Sequence, residues 1–242
     1  MHARDREEDY VQSAIKAGYK VLGFSDHTPW HYDTSFVSKM RMREEQLENY
    51  CETVLSLKEK YKDQITIKLG LECECFPKYM DWLSGTIKKY KLDYIILGNH
   101  YEDTDETGVY FGRQNMSEEK LTKYVTNCLT GIKSGIYSYV AHPDLINTDT
   151  STALYREQMT KLCEASLEAD LPLEFNLLGL ASGRNYPNRI FWEIARDVGN
   201  TAILGVDAHD SNFLLESASL YKIYHKKLTD WGFKVTETIK CL

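Results

Sequence analysis

Proline and glycine are sparse, at 5 and 14 of 242 residues, which excludes collagen-like repeats and low-complexity linkers. Long apolar runs are also lacking. Stretches such as Tyr94-Ile95-Ile96-Leu97 break after a few residues, far short of the ~20 that a membrane-spanning helix needs. The N-terminal His2-Ala3-Arg4-Asp5-Arg6-Glu7-Glu8 has no apolar core, so it does not read as a secretory signal. Positive charge is in deficit, with 29 Lys and Arg against 36 Asp and Glu. A net charge of −7 disfavours a dedicated nucleic-acid binder. It leaves a small phosphorylated substrate open, because bound cations reverse the sign of a local site. None of the six cysteines has zinc-ribbon spacing, so they are expected to be small buried thiols in a reduced cytoplasm. Neither G-x-G-x-x-G nor G-x-x-x-x-G-K-[ST] occurs, which lowers the weight of nucleotide-binding folds.

What is present is an alternation of β-rich runs and amphipathic helices. Strands are expected at Lys20–Ser25, Ile65–Cys75, Asp93–His100, Ile136–His142, Leu171–Leu177 and Thr201–Asp207. Several are continuous apolar runs, as in parallel strands covered on both faces. Leu47, Tyr50, Cys51, Val54, Leu57 and Tyr61 keep helical spacing. So do Leu121, Tyr124, Val125, Cys128, Leu129 and Ile132, after Ser117 as N-cap. Pro187 is expected to open a helix that Gly199 ends. With no linker, the chain reads as one α/β domain over residues 1–242, either a barrel or an open sheet.

Ligand-type residues gather at the C-terminal ends of these strands. Strand one runs into Ser25-Asp26-His27, and the second carries Glu72 and Glu74. Asn99-His100, His142-Pro143-Asp144 and Asp207-Ala208-His209 end three others. Glu174-Phe175-Asn176 is polar but less telling. In an α/β barrel these ends open onto one face. Four of the seven histidines would meet carboxylates there, a donor set suited to Zn²⁺, Mn²⁺ or Fe²⁺. His225 is expected at the surface, and His31 is open as a substrate contact. Two arginines are candidates for gripping phosphate through a planar fork, first Arg184 and then Arg113.

Gly23-Phe24-Ser25-Asp26-His27, Gly70-Leu71-Glu72, Leu97-Gly98-Asn99-His100, Val140-Ala141-His142-Pro143-Asp144 and Gly205-Val206-Asp207-Ala208-His209 follow one another over nearly the whole chain. In this set and order the sequence resembles the polymerase and histidinol phosphatase (PHP) family, in its histidinol-phosphatase-like branch. The resemblance implies a distorted, TIM-like (β/α)7 barrel with up to three divalent metal ions, hydrolysing a phosphomonoester, typically histidinol phosphate in histidine biosynthesis. It implies Glu72 as the carboxylate bridging two metals, with His100 and His142 at one of them. It implies Asp207 as a ligand of the first metal, and His2, His27 and His209 as ligands of a separate third. Glu72 and Asp207 are the catalytic candidates. The family begins with an H-x-H strand that has no counterpart in this sequence. Six strand candidates are counted where the family has seven, so free edges are expected at Lys20–Ser25 and Thr201–Asp207. The gap is read as a start placed at an internal Met, in preference to a truncated chain or a true loss of the first strand. Two rivals remain at this stage: another metal-dependent barrel hydrolase of the amidohydrolase kind, and a catalytically impaired metal-binding protein.

Overall fold

The computed structural model describes residues 3–242, so His2 lies outside the described residues. The chain runs α1 (Glu7–Ala17), β1 (Val21–His27), α2 (Leu47–Lys60), β2 (Thr66–Cys73), α3 (Met80–Tyr90), β3 (Tyr94–Gly98), α4 (Glu118–Ser134) and β4 (Val140–Ala141). It continues with α5 (Ala153–Glu168), β5 (Leu173–Asn176), α6 (Leu177–Ala181), α7 (Arg189–Val198), β6 (Thr201–Gly205), α8 (Ser211–Asp230) and β7 (Lys234–Thr236). All seven strands are parallel and pair in sequence order, so every strand points its C-terminal end to the same side. The sheet curls into most of a barrel with helices outside, the architecture expected from the strand–helix alternation.

The helices obey the signals in the sequence. Ser117 caps α4 by accepting from the Lys120 N–H, and Gly199 ends α7 at φ 95°. Asn188 rather than Pro187 caps α7, because its side chain accepts from the Ile190 and Phe191 N–H groups. The apolar helix faces pack on the outside of the sheet and form the main core. A smaller cluster of Tyr94, Ile96 and Ala141, with Tyr139 and Ile239 against it, fills part of the barrel interior beneath the strand C-termini.

Three expectations are corrected. There are seven strands among the described residues, because Lys234–Thr236 pairs with the first three residues of β6. The second free edge is therefore β7 together with the upper half of β6. The strand expected over Ile136–His142 is regular only at Val140–Ala141, although Ser138 and Tyr139 still exchange backbone hydrogen bonds with Ile95 and Leu97 of β3. The thiols are all free, but Cys241 is exposed and Cys75 half-buried rather than buried.

Among the described residues the curl does not close. β1 pairs with β2 on one side only, and Val21 stays 51% exposed, whereas every residue of β3 and β5 is buried. Between β1 and β6 lies a cavity of about 820 Å³. Leu22 and Phe24 line one side, Leu204 and Val206 the other, with Ile239 at its floor and the histidine-rich mouth above. Helices α1 and α8 pack together over this gap, and the hydroxyl of Tyr19, just past α1, lies 3.1 Å from Ser217 Oγ on α8.

Candidate metal centre

Parallel register brings the site together. His27 pairs in register with Glu72 across β1 and β2, which sets the two side chains next to each other. His100 lies two residues past β3, His142 directly follows β4, and Asp207 and His209 follow β6. All emerge on one face.

Glu72 is the hub. Its Oε1 lies 3.0 Å from His142 Nε2 and 3.3 Å from His100 Nε2. Its Oε2 lies 3.4 Å from His27 Nδ1. The rings of His27 and His100 meet edge-on at 4.8 Å between centroids, and those of His100 and His142 at 4.9 Å. All four residues are buried. One donor atom each from His27, Glu72 and His100 falls within 4.8 Å of the others. That span suits a cation with bonds of roughly 2.0–2.3 Å to nitrogen and oxygen.

The electrostatics of the cluster favour a cation. Burial pushes the Glu72 carboxyl up, but His27 and His100 outweigh it and hold the group well below the usual carboxylate range. Burial pushes His27 down to about 3, only partly offset by Glu72. Burial acts the same way on His100, yet Glu72 and Glu74 overcome it and raise the ring to about 10. The two carboxylates thus favour positive charge at His100. Metal ions compete for such positions, since ligands must bind them deprotonated.

Asp207 and His209 form a neighbouring pair, with His209 Nε2 3.3 Å from Asp207 Oδ1. Asn176 Nδ2 donates to both Asp207 Oδ2 and Glu174 Oε2, at 3.1 Å each. Glu174 also accepts the His142 backbone N–H at 2.8 Å, and burial raises its carboxyl to about 7. Glu174 and Asn176 had a visible signal in the sequence, their place at a strand end. Arg41, buried behind His100, had none, because it sits in the long loop between β1 and α2.

Two backbone features mark the site. His142 and Asp207 hold φ of 28° and 53°, in the left-handed region that side chains disfavour. Gly98 lies so close to Glu72 that an added Cβ would overlap its carboxylate. Gly98→Ala is therefore expected to shift Glu72 and weaken metal binding about 10–100-fold, the range seen when a ligand's support is disturbed. Chelator-competition titration measures this, and wild-type affinity in the variant would contradict the crowding argument.

Among the arginines, Arg184 donates to the Tyr186 hydroxyl at 2.5 Å, and the Tyr186 ring packs 5.5 Å from that of His142. Arg113 is exposed on the loop after β3. His31 is exposed and pairs with Glu44 at 2.7 Å, outside the cluster. His225, on α8, lies 3.6 Å from Glu237 at the surface.

Known proteins resemble this chain in sequence and in fold. A protein of Deinococcus radiodurans named probable histidinol-phosphatase is 26% identical over 231 residues, covering 86% of this chain and 82% of that one. The histidinol-phosphatase of Bacillus subtilis is 22% identical over 240 residues, covering 86% and 89%. The crystal structure of histidinol phosphate phosphatase from Lactococcus lactis, complexed with zinc, L-histidinol and phosphate, superposes with a TM-score of 0.72 at 21% identity. It covers 98% of this chain and 92% of that one, and so shows the same fold. The PHP domain model matches residues 1–177, which contain β1 to β5 and, within them and the loops that follow, Glu72, His27, His100 and His142. The chain belongs to the PHP domain family.

Proposed function

We propose that the protein is a divalent-metal-dependent phosphomonoesterase that cleaves histidinol phosphate to histidinol and phosphate. The observation that carries this is the set of three buried imidazoles around one buried carboxylate at the barrel mouth. The names of the similar proteins support the substrate. Glu72 turns one oxygen to His100 and His142 and the other to His27, as suits a carboxylate shared between two cations. We assign Glu72 to two metal positions, one completed by Asp207 and the other by His100 and His142, and a third position to His27 and His209, with His2 as the further ligand that the resemblance supplies. Zinc, manganese or iron fits this donor set.

When bound, such ions neutralise phosphoryl oxygens and lower the pKa of water towards ~7. The chain's own groups do the rest. Glu72 and Asp207 orient the attacking water in line with the ester bond. Arg184, beside Tyr186 at the rim, grips the phosphate through its planar guanidinium. No helix among the described residues is long and apolar enough to cross a membrane.

Chelated protein reloaded with Mn²⁺ or Zn²⁺ is expected to release phosphate from histidinol phosphate faster than from an aryl phosphate. No release from either substrate would overturn the assignment. Arg184→Ala should raise KM on the order of tenfold, the worth of a hydrogen bond to a charged group, with an unchanged melting curve. An unaltered KM would remove Arg184 from the substrate site.

A further inference from the structure

Glu74 lies just past β2, two residues beyond Glu72, and is 1% exposed. Its Oε1 accepts from Arg41 Nη2 at 2.8 Å and lies 3.0 Å from His100 Nδ1. Its Oε2 accepts from Arg41 Nη1 at 3.0 Å and from Trp30 Nε1 at 2.9 Å. A carboxylate offers about four lone-pair sites. All four are taken, so Glu74 has none left for a metal ion.

The arrangement is costly as a purely structural device. A buried arginine–carboxylate pair often contributes less than apolar side chains of the same volume. Its position supplies the reason for it. An imidazole that donates from Nδ1 to a carboxylate is held in one tautomer and presents a more basic Nε2 to a metal. His100 Nε2 is the atom turned towards Glu72. Arg41 extends the contact outward. It donates to the Thr28 carbonyl at 3.1 Å and from Nε to Asp105 at 3.0 Å. Asp105 in turn accepts from Ser38 Oγ at 2.5 Å and from the Tyr32 hydroxyl.

We propose that Glu74, clamped by Arg41 and Trp30, is a positioning residue that fixes His100 with Nε2 facing the metal, and that Arg41 ties this ligand to the two loops of the mouth. The inference rests on the metal-site reading above. It adds residues that bind neither the cation nor the substrate yet set the affinity for the cation.

Zinc binding is measured by chelator competition in the wild type, Glu74→Ala, Glu74→Gln and the double variant Arg41→Met/Glu74→Ala. Glu74→Ala is expected to bind zinc about 10–100-fold more weakly. Glu74→Gln, whose amide oxygen still accepts from Nδ1, should lose less. The double variant avoids a stranded Arg41 but leaves the Asp105 carboxylate with only its Ser38 and Tyr32 contacts. It should melt closer to the wild type than Glu74→Ala does, without regaining the zinc affinity. In the zinc-loaded wild type, the His100 Nδ1 proton should give a slowly exchanging NMR resonance that is absent from the double variant. A double variant that binds zinc as tightly as the wild type would overturn the positioning role alone. A wild type that binds no zinc would overturn the metal-site reading and this inference with it.

Discussion

An N-terminal extension carrying an H-x-H strand should make the protein markedly more stable and more active. The cavity between β1 and β6 has the walls of a strand position. One free edge is β1 and the other is the upper half of β6, with α1 and α8 covering the outside. Free edges hold unpaired N–H and C=O groups that favour a further strand. Outward apolar residues of the added strand would pack beneath α1 and α8. At ~1.5–3 kcal/mol per large side chain, two or three such residues give several kcal/mol. For a chain of this size that is a rise in melting temperature of about 10 °C or more. The two histidines, two residues apart, would share the inward face beside Glu72 and Asp207. Metal stoichiometry and phosphatase rate should rise with stability. Melting curves, metal analysis and assays on both chains decide. Equal stability and activity would mean that the gap does not accept a strand.

Glu72→Gln is expected to abolish metal loading and to lower kcat/KM by on the order of 10³ or more. Metal ions stabilise charge in the transition state by several kcal/mol, and each ~1.4 kcal/mol is a factor of ten in rate. The neutral amide keeps the shape of the side chain but removes the carboxylate that favours positive charge at His100 and His142 and that sits beside His27. Breaking a buried pair from one side costs about 3–5 kcal/mol, so the variant should also melt earlier. Metal content, kinetics and thermal melts test the three effects separately. A variant that retains metal and activity would remove Glu72 from the centre of the site.

The barrel class was legible because its signals are local and repeated. Apolar runs alternate with 3.6-residue periodicity, and histidines recur at the run ends. The seventh strand was not legible. Lys234-Val235-Thr236 has one apolar residue, and it pairs only because α8 returns the chain beside β6. The shortness of β4 was equally hidden, since Ile136–Tyr139 has strand-like residues but adds only two backbone bonds to β3 and no regular strand. Within the site, the histidines and Glu72 were visible as residue types at strand ends. Their grouping was not. His27 adjoins Glu72 because β1 and β2 pair His27 with Glu72, and register is a property of two strands at once. The Arg41–Glu74 contact joins a loop residue to one 33 positions away, a separation that no periodicity encodes.

The left-handed backbone at His142 and Asp207 alters what an alanine scan of this site would measure. A side chain in that region costs of order 1–3 kcal/mol, and alanine, with its Cβ intact, keeps the cost while losing the ligand. Glycine loses both, because it adopts positive φ without penalty. Stability and ligation are thus set against each other at these two positions. A chain chosen only for stability would favour glycine at both positions, so the histidine and aspartate there carry a folding cost that the metal-binding roles proposed above account for.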